Sequence, residues 1–255
     1  MRTNAEPSGR AGPFRGLVAF TECELRVQYH ENTAILTSML TQAVLLTFVG
    51  LLAPALFPIA LVGAILFSGF TLGQRTLNEA AYIRIDSKLH QLFLASPLAP
   101  ESYFLGMAFG VLLAYLPPIL ILGVVAWVIL HPSLLAALTL LTVAASVWLF
   151  SASLGYILST AFRDQRAIWS YSSLLYNFFG VLPPVFYPLA LFPAGLRPVA
   201  LVLPPSAGAA LAENALTPGI LSVPEMLLAA GALFGASLAL FALAVLWARR
   251  TVQER

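Results

Sequence analysis

Residues 103–130 read YFLGMAFGVLLAYLPPILILGVVAWVIL, an apolar run without Asp, Glu, Lys or Arg. A helix needs about 20 apolar residues to cross the hydrocarbon core of a membrane, so this run is long enough to span it. Pro117 and Pro118 inside the run predict a kink. The whole chain is 60% hydrophobic and 9% charged, with a mean hydropathy of +0.89. A soluble domain has no core large enough for so much apolar surface, and the chain is therefore predicted to lie mostly in a membrane.

Similar apolar runs recur along the chain and predict an all-α membrane protein with six transmembrane helices. The predicted spans are residues 33–53, 56–74, 103–130, 133–161, 168–192 and 224–247. They divide the chain into an N-terminal cytoplasmic segment, a transmembrane domain and a short cytoplasmic tail, at residues 1–31, 32–248 and 249–255. Residues 14–31 carry apolar residues in two strips and predict an amphipathic helix at the cytoplasmic interface, with an ordinary packed N-terminal helix as the alternative.

The basic residues fall almost entirely on one side of these spans. Of the 13 Lys and Arg residues, only Arg197 falls on the other side. The positive-inside rule then predicts that both termini are cytoplasmic. We expect a multi-pass protein of the plasma membrane, which is the inner membrane in bacteria or archaea.

Several classes of function are disfavoured by what the sequence lacks. The predicted spans carry almost no ionisable side chains, although ion-coupled pumps need them at membrane depth. The only Lys, Lys88, has no glycine-rich loop before it, so no GxxxxGK[ST] phosphate-binding loop is present. The sequence also contains no GxSxG or HExxH pattern, and Cys23 is its only cysteine. We therefore expect a chain that is not an enzyme by itself, with no cofactor, no metal site and no nucleic-acid partner.

The loop at residues 75–102 is predicted to hold a short cytoplasmic helix that ends at Ser96 and Pro97. Leu89, Leu92 and Phe93 share one face of that helix. A solvated connector needs no apolar face, whereas a helix that docks into the groove of a partner protein does. The loop is therefore a candidate site of partner binding.

Two groups of residues resemble the permease subunits of type-2 ATP-binding-cassette (ABC) transporters. The first is Asp86, Lys88-Leu89, Leu92, Ser96-Pro97-Leu98 and Tyr103 to Gly106, and the second is Val185-Phe186-Tyr187-Pro188, Leu191, Pro193, Leu196-Arg197-Pro198 and Pro204-Pro205-Ser206. In that family the first group looks like the cytoplasmic coupling helix, and the second like short re-entrant helices on the outer side.

This resemblance implies a permease that is driven by a separate ATPase. Two copies of that ATPase subunit would bind ATP and Mg, and a second permease copy would complete the assembly, a homodimer rather than a heterodimer. The residues implied in ATPase coupling are Arg84, Asp86, Lys88, Leu89, Leu92, Phe93, Ser96, Pro97, Arg163, Asp164 and Arg166.

Residues 188–222 contain too many prolines for one continuous helix. Non-helical backbone at membrane depth is tolerated only where protein or water shields it, so short helices that enter and leave on the outer side are predicted. A plain proline-rich external loop is the alternative. The predicted outer gate comprises Phe186, Tyr187, Pro188, Arg197, Pro204 and Pro205.

Polar stripes in the first and fifth predicted spans indicate a substrate pathway, since lipid does not favour polar groups. The candidate residues are Thr37, Thr41, Ser170, Ser173, Tyr176 and Asn177. The alternative is hydrogen bonding between helices. The expected function is outward transport of an amphipathic or lipophilic substrate, such as a drug-like molecule or a lipid. Export of a lipid-linked polysaccharide, or a stand-alone secondary carrier or membrane scaffold without an ATPase, are the alternatives.

Overall fold

The computed structural model describes residues 13–30, 32–85, 87, 99–162 and 164–253. All regular secondary structure in these ranges is helical. Five helical segments are long and apolar enough to cross a membrane: Ile35–Leu52, Pro54–Ile85, Pro100–Leu130, Leu134–Ser159 and Val223–Arg250. The structure thus confirms an all-α, multi-pass membrane protein, and these segments overlap all the predicted spans except the fifth.

The described residues form nine α-helices. In chain order they are α1 (Pro13–His30), α2 (Asn32–Leu52), α3 (Phe57–Ile85), α4 (Pro100–Leu130), α5 (Leu134–Ser159), α6 (Gln165–Val181), α7 (Arg197–Val202), α8 (Pro204–Leu216) and α9 (Val223–Gln253). Short 3₁₀ helices lie at Pro54–Leu56, Leu189–Leu191 and Ala194–Leu196. Pro117 and Pro118 lie within the uninterrupted helix α4.

The predicted fifth span, residues 168–192, is too long at its C-terminal end. Helix α6 ends at Val181, and the stretch around Leu189–Leu191 is a short 3₁₀ helix rather than a continuation of the α-helix. Pro183 and Pro184 explain this end, because proline has no N–H for a helical hydrogen bond and its ring clashes with the preceding turn. A prediction from hydropathy alone does not take account of how proline ends a helix.

Two predicted boundaries also differ from the structure. Helix α3 continues through residues 75–85, which had been predicted as the start of the cytoplasmic loop. Helix α9 continues to Gln253, into the predicted tail. Helices extend beyond the apolar run because residues such as Glu79, Ala80 and Ala81 favour helix regardless of hydropathy.

Helix α3 forms the centre of the bundle and packs most extensively against α5. Gly69 lies against Ala144 and Gly73 against Ser151, so the two helices run in the same direction. A Cβ added at Gly73 would collide with the carbonyl oxygen of Ser151, and one at Gly155 would collide with that of Gly73. The helices therefore touch backbone to backbone, as small residues four apart permit.

Helix α1 packs along the first half of α4. Gly106 lies under the side chain of Phe20, and Gly110 lies under Glu24. Glu24 is 3% exposed and accepts a hydrogen bond from Gln28 Nε2 at 2.9 Å. Gly106 and Gly110, four residues apart, thus serve a contact within the chain, whereas a Cβ at Gly231 or Gly235 would meet open space.

One end of the bundle collects the ends of several helices. Arg249 near the end of α9 forms a salt bridge of 3.2 Å with Glu101 in the first turn of α4. Arg84 near the end of α3 contacts the end of α5. We call this the basic end, and we call the opposite end, where residues 182–222 lie, the proline end.

Helices at the proline end are bent sharply. Ala194–Val202 and Pro204–Leu216 meet at 105°, the geometry of a broken span or of a re-entrant loop. Gly208 of α8 packs on Val143 and Val147, well inside α5. The start of α8, where Pro204 and Pro205 are buried, therefore lies inside the bundle, while Val202 at the end of α7 is exposed.

Candidate functional site

Arg84 joins the ends of α3 and α5 at the basic end. Its guanidinium donates hydrogen bonds to the carbonyl oxygens of Ser159, of Thr160 at 3.4 Å and of Phe162 at 2.6 Å. Carbonyls at a helix C-terminus lack backbone N–H partners, and a cation there also interacts favourably with the helix dipole. The loops that follow α3 and α5 consequently begin side by side.

Most predicted coupling residues lie outside the described residues: Asp86, Lys88, Leu89, Leu92, Phe93, Ser96, Pro97 and Arg163. Asp164 and Arg166 are described, and both are exposed. The Asp164 carboxylate accepts a hydrogen bond from the Arg166 backbone N–H at 3.2 Å and is the N-cap of α6. Asp164 thus has a structural role in starting this helix.

A line of polar contacts, which we call the polar seam, runs between α3, α5 and α6. Gln74 Nε2 donates to Ser173 Oγ at 3.0 Å, and Ser172 Oγ donates to Asn78 Oδ1 at 3.2 Å. These bonds satisfy side chains that would otherwise be unpaired beside lipid. The polar seam therefore fixes α6 against α3.

Tyr176 continues the polar seam toward the proline end. Its side chain is 0% exposed, and its hydroxyl donates to the carbonyl oxygen of Ser151 at 3.1 Å. The hydroxyl of Ser151 in turn donates to the carbonyl oxygen of Phe70, whose ring lies 4.9 Å from that of Tyr176. One tyrosine thus links three helices.

The predicted pathway residues divide into two groups. Ser173 and Tyr176 belong to the polar seam, so the alternative of hydrogen bonding between helices describes their positions. Thr37, Thr41, Ser170 and Asn177 are exposed on the outer surface of the chain.

The exposed polar residues bond to their own helices. Thr37 Oγ1 donates to the Thr33 carbonyl oxygen at 2.7 Å, and Thr41 Oγ1 donates to the Thr37 carbonyl oxygen at 2.9 Å. Asn177 Nδ2 donates to the Ser173 carbonyl oxygen at 2.8 Å. These faces of α2 and α6 can therefore contact an apolar neighbour without leaving those donors unpaired.

At the proline end, the chain after α6 is held tightly against α3. A Cβ at Gly63 would collide with the carbonyl oxygen of Val185, so only glycine permits this approach. The Phe186 ring packs edge-on against Phe67 at 5.4 Å, and the Tyr187 hydroxyl donates to a backbone carbonyl at 2.8 Å. Phe186 and Tyr187 of the predicted outer gate are thus fixed by neighbours on α3 and by the end of α6.

The remaining gate residues surround the bend. Arg197 donates to the carbonyl oxygens of Ala190 at 2.9 Å and Phe192 at 3.4 Å, which ties the 3₁₀ turns to the start of α7. Pro188 precedes the first of these turns. Pro204 and Pro205 open α8, where proline is tolerated because the first N–H groups of a helix lack helical partners.

A cavity of about 380 Å³ lies at the proline end beside the predicted gate. Its lining includes Tyr187 and Pro184, the connection between α4 and α5 at His131, and Glu213 of α8. The wall is therefore mixed, with apolar residues and a few polar groups, as in sites that hold amphipathic molecules.

No protein-family model matches the chain, and no curated protein matches it either. The resemblance to ABC permeases therefore rests on the motif residues in the sequence.

The sequence did not identify Gln74, Asn78 and Ser151 as hydrogen-bond partners of the polar stripe in the fifth predicted span. Gln74 and Asn78 are four residues apart in a stretch with no helix breaker. That spacing places them on one face of a helix that continues past residue 74. The spacing was therefore the feature of the sequence that could have identified them. The acceptors of Arg84, which are backbone carbonyls, leave no signal in the side-chain sequence.

Proposed function

We propose that this chain is the membrane permease subunit of an ATP-driven exporter of the ABC type. The observation that carries this proposal is the contact between Arg84 and the carbonyl oxygen of Phe162. It joins the ends of α3 and α5, at which the two basic loops begin, the loops that the proposal assigns to contact with an ATPase. Loops that begin side by side can contact the same soluble subunit.

The packing of α3 on α5 supports transmission of movement from these loops. The two helices touch backbone to backbone at Gly73 and Gly155, and Tyr176 ties α6 to the same pair. Tightly packed helices move as rigid bodies, because their interface does not deform continuously. Movement of the loops at Arg84 would therefore tilt α3, α5 and α6 together. The movement would thereby reach the proline end.

In this proposal a second copy of the chain faces the exposed stripes of α2 and α6. Thr37, Thr41, Ser170 and Asn177 would line a route for an amphipathic or lipophilic substrate between the two copies. Exposed aromatic residues beside them, Trp169 and Phe178, would supply apolar contact.

The bent helices α7 and α8 would form the outer gate. The start of α8 is buried in the bundle, and the cavity of about 380 Å³ lies beside it. In this arrangement the basic end faces the cytoplasm, and α6 is the remaining crossing that gives six spans and places both termini inside.

The test is purification of the tagged full-length chain from its native membrane, followed by ATP hydrolysis in lipid vesicles. We expect an ATPase of the ABC class to copurify at one copy per permease. The double variant Leu89→Glu/Phe93→Glu should lose the ATPase and still insert in the membrane. Val27→Glu, on an exposed face of α1, is the control and should retain it.

A chain that purifies without an ATPase and transports substrate in vesicles free of ATP would overturn the proposal. That result would favour the stand-alone carrier. Retention of the ATPase by the double variant would show that the coupling surface lies elsewhere.

A further inference from the structure

A second cavity, of about 290 Å³, lies between α2, α3 and α4 at membrane depth. Its lining includes Met39 and Gln42 of α2, Ser68 of α3, and Tyr115, Pro118 and Leu122 of α4. The volume is close to the lower limit of small-molecule sites, roughly 300 Å³. This cavity is separate from the outer gate and from the polar seam.

Gln42 is the unusual residue of this wall. Its side chain is 5% exposed, and its Oε1 atom has no hydrogen-bond partner among the described residues. Ser68, across the cavity, already donates to the carbonyl oxygen of Ala64 at 2.8 Å. A buried polar atom without a partner destabilises the fold, and in lipid no water compensates for it.

The charge of the wall limits the kind of ligand that the cavity can hold. None of the described lining residues is charged. The cavity therefore favours a neutral ligand over an ion, for which burial at membrane depth is costly.

The cavity opens toward the lipid. Leu36 and Leu40 of α2 and Ile121 of α4 belong to its lining and are between 51% and 57% exposed. These side chains mark a lateral mouth between α2 and α4, both of which are spanning helices. A ligand enters from the bilayer without crossing the water phase.

We propose that this cavity binds a neutral lipid made of an apolar chain and one hydroxyl group, with the hydroxyl at Gln42. A hydroxyl donates to Oε1 and also accepts from the amide nitrogen, so it fits either orientation of the amide. The chain occupies the apolar wall and leaves through the lateral mouth. This binding does not depend on the proposed transport function, because it needs only the permease chain.

The experiment is photolabelling of the full-length chain in phosphatidylcholine vesicles. The two probes are hexadecan-1-ol with a diazirine on its chain and the matching hexadecane without the hydroxyl. We expect the alcohol to label residues 36–43 and 115–122, and to do so about three- to tenfold more than the alkane, the range for one hydrogen bond.

Three variants test the position of the site. Gln42→Leu should remove the preference for the alcohol while alkane labelling is retained, and replacing an unpaired polar group should not lower stability. Ala43→Phe, at an exposed lining position, should block the mouth and reduce labelling by both probes. Thr47→Val is the control. The Thr47 hydroxyl donates to the Ala43 carbonyl oxygen on the exposed face of α2, so its removal should not affect labelling.

Labelling by the alcohol that is equal in the wild type and in Gln42→Leu would overturn the proposal. The proposal would also be overturned if the wild type were labelled only at residues other than 36–43 and 115–122. Equal labelling of the wild type by the alcohol and the alkane would overturn it as well.

Discussion

The guanidinium of Arg84 lies 2.6 Å from the carbonyl oxygen of Phe162, a residue 78 positions further along the chain. Arg84→Gln removes the charge and most of the donors that join α3 to α5. We expect a loss of about 1.5–3 kcal/mol in stability, the range for a hydrogen bond to a charged group, and a loss of ATP-dependent transport. Thermal unfolding in detergent and transport into vesicles measure the two effects.

Arg15→Gln, at an exposed position on α1, is the control for the removal of one positive charge. Transport at the wild-type level by Arg84→Gln would show that this contact does not transmit movement.

Gly73→Ala tests the close contact of α3 and α5. The added methyl group would collide with the Ser151 backbone, and such overpacking costs typically about 1–3 kcal/mol. Gly231→Ala is the matched control on α9, because its methyl group meets open space and alanine favours helix by up to about 1 kcal/mol. The melting temperature should fall for the first variant and stay or rise for the second. Equal melting temperatures would contradict the packing described here.

Tyr176→Phe removes only the hydroxyl that reaches Ser151. We expect destabilisation of about 1 kcal/mol, since hydrogen bonds between membrane helices contribute little more than this. Tyr171→Phe is the control on the exposed face of the same helix, where the side chain is 59% exposed. Resistance to thermal unfolding should distinguish the two, and identical behaviour would show that the polar seam does not stabilise the bundle.

Asn177→Leu tests the proposed substrate route. Loss of one hydrogen bond to a substrate should lower substrate-stimulated ATP hydrolysis by about three- to tenfold, without affecting the basal rate. Thr142→Val on α5 is the control, because it is also exposed and its hydroxyl also bonds its own helix, at 2.8 Å. Unchanged stimulation in Asn177→Leu would remove the fifth predicted span from the route.

Gly63→Ala tests the proposed outer gate. The added methyl group would push Val185 away from α3 and so displace Phe186 and Tyr187. We expect the ATPase to remain bound while transport falls severalfold. Gly123→Ala, whose methyl group meets no neighbour, should transport normally. Normal transport by both variants would indicate that this contact is not part of a gate.

The apolar runs were sufficient to predict most of the spanning helices. Lipid supplies no hydrogen bonds, so an apolar run of about 20 residues in a membrane has to satisfy its backbone internally, as a helix. The prediction for residues 168–192 was wrong at its C-terminal end, because hydropathy is blind to the missing N–H groups of Pro183 and Pro184. The sequence predicts a separate short helix within residues 75–102, whereas α3 continues without a break to Ile85, because hydropathy falls at residues 75–85 while helix propensity does not.

The stripe of Ser170, Ser173, Tyr176 and Asn177 shows why the candidate site was harder to predict. A helix advances about 100° per residue, so these positions cover a broad arc rather than a line. In the structure the edge of the contact with α3 and α5 divides that arc. Tyr176 is enclosed on one side of this edge, and Asn177 is exposed on the other.

The sequence by itself determined that this protein lies in a membrane and where its five long apolar helices run. Each of these depends on residues that are neighbours along the chain. Only the tertiary structure decided that Arg84 binds backbone carbonyls of residues 159–162, that Gly73 meets Ser151, and that Gln42 faces a cavity. These depend on how distant helices pack, and a carbonyl acceptor or a cavity wall has no signature in the residue that supplies it.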